Sequence, residues 1–395
     1  MKEARYAWVV VWAVFVCLAV IFGVSYSFAA FFASFAHAFD AQRADVSLVF
    51  GLSGLLYFVL GAGGGMLSDR FGPRAVCCAG MLSIALGLAA SSFANSIAMI
   101  YLAYGVGIGI GIALVYTPSI SCVLPWFTQR RGLAAGIASA GIGAGTVLVP
   151  LLATQAIAAL EWRGALRVLA LGVLVLGVFA AFMLRRAPPP AASASASARP
   201  PGATLREALR SPGFWWLYLA VVAAGPSMFI PFAHVSASAR DLGLGEARAV
   251  GLVGLIGIGS LAGRFAIGSL ADRLGRTLTL TLAQAAMGLA YLLWNAAGGY
   301  PALALFALVF GLSYGGIVAL LPAICMDLFG ARAVASILGT LYTGAAVGNL
   351  LGPVAAGAVF DRAGSYAPVM WGCLALSSIA AAASARLIGL RGPRY

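Results

Sequence analysis

The chain has 395 residues, of which 62% are hydrophobic and only 9% are charged, with 24 basic residues against 11 acidic ones. A soluble domain carries about 25% charged residues, so this composition cannot supply a polar surface and excludes a soluble enzyme, a nucleic-acid-binding domain and a disordered scaffold. The formal net charge of +13 is divided into short clusters between long apolar runs, which is the pattern of membrane-protein loops. The sequence therefore predicts an all-α integral membrane protein embedded in a lipid bilayer.

Runs of about 20 apolar residues, each long enough to cross a bilayer, recur twelve times. The predicted spans are 6–32, 46–67, 75–93, 97–124, 132–158, 165–184, 213–236, 248–270, 277–297, 302–325, 333–359 and 367–388. Between the sixth and the seventh lies RRAPPPAASASASARPP, whose Pro, Ala and Ser content predicts a flexible linker. We therefore expect a six-helix bundle over 1–184, a linker over 185–212 and a second six-helix bundle over 213–395.

The basic residues are distributed unequally between the two sides of the predicted membrane. With a cytoplasmic amino terminus, 17 of the 24 basic residues lie in the cytoplasmic termini, loops and linker, and six lie in the external loops. Positively charged loops are retained on the cytoplasmic side of a membrane. The sequence thus predicts a multi-pass protein of the cell (inner) membrane with both termini in the cytoplasm.

The two halves of the chain repeat each other. The segment GMLSDRFGPR after span 2 recurs as GSLADRLGR after span 8, and the shift of 203 residues that relates Asp69 to Asp272 also relates Pro150 to Pro353. A single offset that holds across loops and helices indicates a duplicated six-helix unit in parallel orientation.

The sequence offers no pattern typical of a catalytic, metal or cofactor site. The six cysteines lie in apolar stretches without C-x-x-C spacing, and His37 and His234 are the two histidines. Lys2 is the one lysine, so a phosphate-binding G-x-x-x-x-G-K-[ST] loop is absent. Glycine-rich runs inside spans 4 and 8 follow no strand and indicate close helix packing. We expect neither an enzyme nor a bound metal or cofactor.

Arg264 lies in the middle of predicted span 8, eight residues before Asp272 at the cytoplasmic end. At 1.5 Å per residue this depth is about 12 Å, near the midplane of a hydrocarbon core about 30 Å thick. A guanidinium there costs roughly 2.5–3.5 kcal/mol on insertion scales, and no span interior offers a carboxylate partner. The repeat places Gly61 at the equivalent position, so the charge is not part of the duplicated scaffold. We hypothesise that Arg264 binds an anionic substrate; an arginine that bonds to carbonyls or extends to the membrane surface is the alternative.

The repeated loop motif G-x-x-x-D-[RK]-x-G-x-[RK] resembles the hallmark of the major facilitator superfamily, and a partial third copy, GAVFDRAG, ends span 11. The resemblance implies a major facilitator fold of twelve helices in two six-helix bundles. It also implies a cytoplasmic gate that holds the two halves together in the outward-facing state; loop charges that only set the topology are the alternative. The predicted gate residues are Asp69, Arg70, Arg74, Arg130, Arg131, Asp272, Arg273 and Arg276.

A narrower resemblance lies in spans 4 and 5. The segment WFTQRRGLAAGIASAGIGAG, which begins at Trp126, is similar to the signature of monocarboxylate transporters and their bacterial relatives, including oxalate/formate antiporters. This resemblance implies a monomeric functional unit that transports small monocarboxylates, such as lactate and pyruvate, by alternating access and proton-coupled symport, with the span 8 arginine as carboxylate ligand. The alternatives are a carboxylate exchanger of the oxalate/formate type and a non-transporting carboxylate sensor.

Two departures from the family pattern bear on coupling and substrate. Animal monocarboxylate transporters carry an Asp four residues before the span 8 arginine and link it to proton coupling, but this chain has Ser260 there. Either a proton is carried elsewhere or a counter-anion is exchanged; His234 is a candidate relay, with packing or gating as the alternative. The oxalate antiporter has a second cation on span 11, which this chain lacks, and a monocarboxylate is therefore favoured over a dicarboxylate.

Polar side chains within the spans complete the predicted substrate site. A tyrosine hydroxyl can hydrogen-bond to a carboxylate while its ring excludes water, whereas a buried amide can instead join two helices. The family resemblance places the tyrosines of spans 4, 10 and 11 on the cavity. The residues that accompany Arg264 in the prediction are Tyr26, Tyr116, Ser260, Tyr314, Tyr342 and Asn349.

Overall fold

The computed structural model describes residues 5–127, 131–187, 202–330 and 332–389, and these residues are almost entirely helical. Eleven of the described helices are long and apolar enough to cross a membrane, and a short helix, α6, precedes the second half. The helices are α1 (Arg5–Ala38), α2 (Arg43–Phe71), α3 (Pro73–Ser91), α4 (Ile97–Val123), α5 (Ala134–Phe182), α6 (Leu205–Arg210), α7 (Pro212–Asp241), α8 (Glu246–Leu274), α9 (Arg276–Asn295), α10 (Tyr300–Phe329), α11 (Val334–Ala363) and α12 (Ala367–Ala385).

The fifth and sixth predicted spans both fall within α5. This segment has 49 residues, and at 1.5 Å per residue it would be about 74 Å long, more than twice the thickness of a hydrocarbon core. Glu161 interrupts it with a non-helical backbone, at φ 57° and ψ 172°. The part before Glu161 packs on α1 and the part after it packs on α3, so α5 supplies two crossings and the described helices make up the predicted twelve spans.

Glycines allow equivalent helices of the two halves to pack backbone against backbone. A Cβ on Gly145 of α5 would overlap the carbonyl oxygen of Ala19 in α1. The repeat converts Gly145 into Gly348 of α11, where a Cβ would overlap the backbone of Gly225 in α7. The same close approach therefore recurs in each half, as a duplicated bundle requires.

Two helix pairs carry most of the contact between the halves: α2 with α11, and α5 with α8. A Cβ on Gly54 of α2 would overlap the amide of Asn349 in α11, and a Cβ on Gly257 of α8 would lie 2.9 Å from Cβ of Thr146 in α5. The shift of 203 residues converts the first pair into the second. We call these contacts the α2–α11 seam and the α5–α8 seam.

The short helix α6 lies in the predicted linker, at its junction with the second half. Its N-cap, Thr204, exchanges hydrogen bonds with Glu207: the Thr204 amide donates to Oε2 at 2.8 Å, and the Glu207 amide donates to Oγ1 at 3.3 Å. These bonds lower the pKa of the Glu207 carboxyl below its ordinary value. The Ala203 amide donates to the carbonyl of Phe329 at 2.7 Å, which ties this end of the linker to the end of α10.

Candidate substrate site and external clasp

A cavity with a volume of about 80 Å³ lies between the two halves, and Arg264 of α8 is part of its wall. Both halves contribute side chains, which is the placement expected of a substrate site in a transporter built from two bundles. The lining residues are Phe22, Tyr26, Tyr57, Phe58, Tyr116 and Ile142 from the first half, and Leu217, Ala220, Val221, Ala224, Met228, Phe229, Arg264, Leu280, Gln284, Tyr314, Ile317, Val318, Leu321, Tyr342 and Ala345 from the second.

Arg264 reaches the cavity because its neighbour on α8 packs against another helix. Gly263 lies directly on the backbone of Leu312 in α10, and a Cβ there would overlap the Leu312 carbonyl, so the next residue along the helix is directed away from α10. The Arg264 side chain is partly buried. Within the described part of the chain, its guanidinium has neither a hydrogen bond nor an ion pair. The cavity therefore contains a cation whose donors are available to a ligand.

Four predicted tyrosines surround this cation. Tyr26, Tyr116, Tyr314 and Tyr342 line the same cavity as Arg264. A neutral phenol can donate a hydrogen bond to the same carboxylate that the guanidinium binds. These residues and Arg264 are the members of the predicted substrate site that the structure brings together.

An aromatic layer closes the cavity toward the predicted external face. The hydroxyl groups of Tyr26 and Tyr314 lie 3.2 Å apart and form a hydrogen bond between the halves. The Tyr26 ring stacks on Phe232 with centroids 4.1 Å apart, and Phe232 meets Tyr314 edge-on at 5.2 Å. Counted from the external ends of their helices, these rings are less deep than Arg264. They therefore stand between Arg264 and the external side.

Two predicted site residues are not among the side chains that line the Arg264 cavity, although Asn349 lines a smaller adjoining pocket that shares Tyr26, Tyr57 and Phe58 with it. Asn349 is buried in the α2–α11 seam, where its Nδ2 donates to the carbonyls of Phe50 at 3.4 Å and Gly51 at 3.3 Å. It thus makes the helix–helix contact that was the alternative for this amide, and its role as a substrate ligand stays a prediction. Ser260 is buried against α10, with its backbone in contact with Gly315.

Tyr57 lines the cavity but was not among the predicted residues. Its ring meets that of Tyr116 at 5.4 Å and 90°, and Phe58 beside it lies 4.4 Å away between centroids. The repeat contained a signal for this residue, because Tyr57 precedes Gly61 by one helical turn and Gly61 is the counterpart of Arg264. Ser260 is the counterpart of Tyr57, so the cavity uses this position in one half only.

His234 lies away from the cavity and is completely buried between α2, α7, α11 and α12. Its Nε2 is 2.8 Å from the carbonyl of Pro353 and 3.0 Å from Oγ of Ser47, and its Nδ1 is 2.8 Å from the hydroxyl of Tyr366. A carbonyl oxygen only accepts, so Nε2 carries a hydrogen and donates to Pro353. Burial raises the pKa of the Tyr366 phenol, which keeps it protonated and able to donate to Nδ1. His234 is therefore a neutral ring, and its contact with Ser47 of α2 joins the two halves.

Beside His234, Arg43 at the start of α2 contacts α7, α11 and the residue that precedes α12 in the other half. Its guanidinium donates to both carboxylate oxygens of Asp241, at 2.6 and 2.8 Å, and to the hydroxyl of Tyr366 at 2.8 Å. It also lies 3.7 Å above the centroid of the Phe360 ring. Bidentate, charge-assisted bonds of this kind are stronger than neutral ones and fix the geometry of the pair.

Asp361 of α11 adds a second contact at the same place. Its carboxylate accepts hydrogen bonds from the backbone amides of Arg43, at 3.1 Å, and Ala44, at 3.0 Å, so it caps the amino terminus of α2 from the other half. Gly357 permits this approach, because a Cβ there would lie 2.5 Å from the Ala44 amide nitrogen. We call Arg43, Asp241, Asp361 and Tyr366 the external clasp. The prediction missed it, although the third partial motif contains Asp361.

The predicted cytoplasmic gate residues make their described contacts within their own halves or with the start of the linker. Arg186 donates to the Ser68 carbonyl at 2.6 Å and to the Asp69 carbonyl. Arg276 forms an ion pair with Asp327 at 2.6 Å.

Arg70 lies over Phe71, and Arg74 lies over Phe182. For Asp272 and Arg273 the structure shows no hydrogen bond or ion pair to another described residue. Arg130 and the side chain of Arg131 lie outside the described residues. None of the described gate residues bonds to the opposite half, whereas the external clasp does, so the halves are fastened together at the predicted external face.

Comparison with known proteins agrees with this architecture. The model of the Major Facilitator Superfamily matches residues 14–353 and 227–394. Monocarboxylate transporter 13 of Bos taurus is 31% identical over 366 residues, which cover 92% of this chain and 85% of that protein. Monocarboxylate transporter 3 of Rattus norvegicus is 31% identical over 378 residues (92% and 76%). The uncharacterised transporter YhjX of Escherichia coli is 26% identical over 334 residues (83% and 82%).

Among solved structures, a bacterial homologue of the human lysosomal transporter Spinster, in an inward-facing and unoccupied conformation, aligns over the whole length of both chains. The TM-score is 0.76 at 15% identity, which shows a shared fold. The relatives and the fold are those of transporters and not of enzymes. The chain belongs to the Major Facilitator Superfamily of membrane transporters and has monocarboxylate transporters among its relatives.

Proposed function

We propose that this protein is a secondary transporter of small monocarboxylates, such as lactate and pyruvate, that works by alternating access and proton-coupled symport. The observation that carries the proposal is Arg264, a cation without a bonded partner in the described chain, in a cavity between the halves. The names of its relatives support the substrate class.

In the proposed binding step, the carboxylate accepts two hydrogen bonds from the Arg264 fork. Tyr116 and Tyr342 line the same cavity and supply further hydroxyl donors. Binding neutralises a charge that is expensive at this depth in a membrane, so the loaded cavity closes at a lower cost than the empty one. Substrate binding is coupled to the conformational change in this way.

In the proposed conformational step, the external clasp opens and the cytoplasmic gate closes. Breaking the bonds of Arg43 to Asp241 and Tyr366 and releasing Asp361 from α2 would separate the external ends of the halves. The predicted gate residues would then meet at the other face. We assign His234 to the clasp region, because its three bonds hold helices together there and it does not line the cavity.

The substrate and its coupling have two alternatives. Arg264 is the one charged side chain among the described lining residues, which supports a monocarboxylate over the dicarboxylate of an oxalate/formate-type exchanger. A non-transporting carboxylate sensor would need the cavity but no conformational cycle. We further propose that the functional unit is a monomer whose two bundles have the limits given above. We place it in the cell (inner) membrane with both termini on the cytoplasmic side.

Proteoliposomes that contain a pH-sensitive dye test the proposal. Lactate or pyruvate is added outside to the parent protein, to Arg264→Ala and to the matched variant Arg362→Ala, whose exposed arginine lies at the external end of α11. Acidification with the parent and with Arg362→Ala, but not with Arg264→Ala, is the expected result. Uptake of labelled acid only against trapped unlabelled acid would indicate exchange. Saturable binding without uptake of either kind would indicate a sensor, and transport by Arg264→Ala at the parent rate would refute the role of the arginine.

A further inference from the structure

The short helix α6 is amphipathic, and its polar face carries two arginines. Arg206 and Arg210 are four residues apart, so they lie on one face of the helix, and both side chains are exposed. The opposite face packs against the protein, with Ala208 buried and Leu209 half-buried. Within the described part of the chain, neither arginine has a hydrogen bond or an ion pair. Helix α6 therefore presents two cations, available to an anion, at the predicted cytoplasmic face.

Two consecutive tryptophans at the start of α7 connect this helix to a third arginine. Trp215 donates its indole N–H to the Leu209 carbonyl at 2.8 Å, which holds α6 against α7. The guanidinium of Arg386, at the end of α12, lies 5.8 Å from the centroid of the Trp216 ring. Arg386 is exposed, and neither its guanidinium nor the Trp216 indole N–H bonds to another of the residues that the structure describes. Three arginines therefore flank one turn of α7, and with Trp216 they form what we call the basic patch.

An apolar stripe on α7 continues from the basic patch toward the membrane interior. Trp215, Trp216 and Leu219 are all exposed on the outside of this membrane-spanning helix. Leu219 follows the tryptophans by one helical turn, so the three side chains share one face. Tryptophan is typical of the membrane–water boundary, where its ring contacts acyl chains and its N–H reaches polar groups. The basic patch therefore lies at the level of the lipid headgroups, next to a surface for acyl chains.

The charges at this surface are complementary to an anionic phospholipid. A headgroup phosphate accepts charge-assisted hydrogen bonds from a guanidinium and a further bond from an indole N–H. Glu207 is the one carboxylate of α6, and it accepts a hydrogen bond from the Thr204 amide at 2.8 Å. Each arginine close to an anionic membrane surface adds to the attraction. A zwitterionic headgroup gains less from the same arginines, because its own cation lies beside its phosphate.

We propose that the basic patch binds anionic phospholipids of the predicted cytoplasmic leaflet. The headgroup phosphate binds Arg386 and the Trp216 indole N–H, Arg206 and Arg210 add electrostatic attraction, and the acyl chains lie along the apolar stripe of α7. The bound lipid holds α6, at the end of the linker, against α7 and α12. The patch belongs to the second half alone and lies apart from the Arg264 cavity, so this inference does not depend on which substrate is transported.

Native mass spectrometry of the purified full-length protein in detergent tests the proposal. The probes are dioleoylphosphatidylglycerol, which is anionic, dioleoylphosphatidylcholine, which has the same chains on a zwitterionic headgroup, and glycerol 3-phosphate, which has the phosphate but no chains. We expect phosphatidylglycerol to bind at least about tenfold more tightly than phosphatidylcholine, and to be displaced by added salt but not by glycerol 3-phosphate.

Variants locate the bound phosphate. Arg386→Gln should weaken phosphatidylglycerol binding about fivefold and the double variant Arg206→Gln/Arg210→Gln up to about 25-fold, because each arginine near an anionic surface contributes a factor of about five. Phosphatidylcholine affinity should be unchanged, which also shows that the variants are folded. Arg248→Gln is the matched control: Arg248 is also exposed and lies 5.9 Å from the centroid of the Tyr300 ring, but at the predicted external end of α8. It should bind phosphatidylglycerol as the parent does.

Four results would overturn the inference. Equal affinities of the parent for the two lipids would show that the patch does not select an anionic headgroup. Displacement of the lipid by glycerol 3-phosphate would indicate a site for free phosphate instead of a lipid. Binding at the parent level by Arg386→Gln and by the double variant would place the lipid elsewhere. An equal loss with Arg248→Gln and Arg386→Gln would mean that the lipid follows surface charge anywhere on the protein.

Discussion

The external clasp is present in the conformation described here, in which the halves are joined externally, so weakening it should shift the protein toward the externally open conformation. Asp241→Asn removes the charge that receives two bonds from Arg43, at 2.6 and 2.8 Å. The two side chains are 22% and 36% exposed, so solvent screens the pair and its contribution is below that of a buried ion pair. A bidentate ion pair at this exposure stabilises the externally closed conformation by about 1 kcal/mol. Its loss should therefore change the equilibrium constant between the externally closed and open conformations about fivefold.

A cysteine at Ser236 reports this shift, because Ser236 is fully buried and its hydroxyl donates to the Ala29 carbonyl of the other half. A membrane-impermeant maleimide added from outside should label this cysteine about five times faster with Asp241→Asn than without it. Asp45→Asn is the control: it removes a carboxylate from the same turn of α2 whose hydrogen bond among the described residues, from the Gln42 amide, lies within its own half. Equal labelling rates for Asp241→Asn and Asp45→Asn would refute the assignment of the clasp.

Three further predictions address the site, the histidine and the packing. Arg264→Lys keeps the charge but loses the two-oxygen fork, so the KM for labelled monocarboxylate uptake should rise about tenfold; an unchanged KM would mean that the fork is not used. His234→Gln keeps hydrogen-bonding capacity and should leave the pH profile of uptake unchanged, whereas loss of acid stimulation with binding intact would identify a proton relay. Gly145→Ala should lower the Tm by several degrees, because its Cβ meets the Ala19 carbonyl, and Gly61→Ala, where the nearest neighbour is 3.7 Å away, should not; equal Tm values would contradict the packing argument.

The helices and the arginine could be predicted because their signals are local. An apolar run needs only its own composition to identify a span, and Arg264 stands out because its surroundings in the sequence are apolar. The repeat added a long-range constraint, since one offset aligned two loops and several helices. The repeat also identifies Tyr57, which lies one helical turn before Gly61, the counterpart of Arg264, if both halves are assumed to line one cavity.

The external clasp could not be predicted in the same way, because it depends on how the two halves are placed relative to each other. Arg43 and Asp241 are 198 residues apart, and each is an ordinary loop-proximal charge in its own segment. The role of Asn349 likewise depends on how the two halves are placed. Its sequence context allowed either a substrate ligand or a helix contact, and only the position of α2 beside α11 places its amide on the carbonyls of Phe50 and Gly51.

The two seams between the halves are related by the sequence repeat, but they differ in the hydrogen bonds that must break when the halves move. The Thr146 hydroxyl donates to the Ile142 carbonyl of its own helix at 2.7 Å. At the α5–α8 seam, the Thr146 atoms nearest Gly257 are therefore carbon atoms. Asn349 instead donates across the α2–α11 seam, and parting those helices leaves its amide hydrogens without these acceptors, at a cost of about 1–3 kcal/mol if nothing replaces them. The α5–α8 seam can therefore move without breaking a hydrogen bond between the halves, whereas the α2–α11 seam must break the bonds of Asn349 before it moves. We therefore expect the movement of the halves to be asymmetric, although the fold is built from two equivalent bundles.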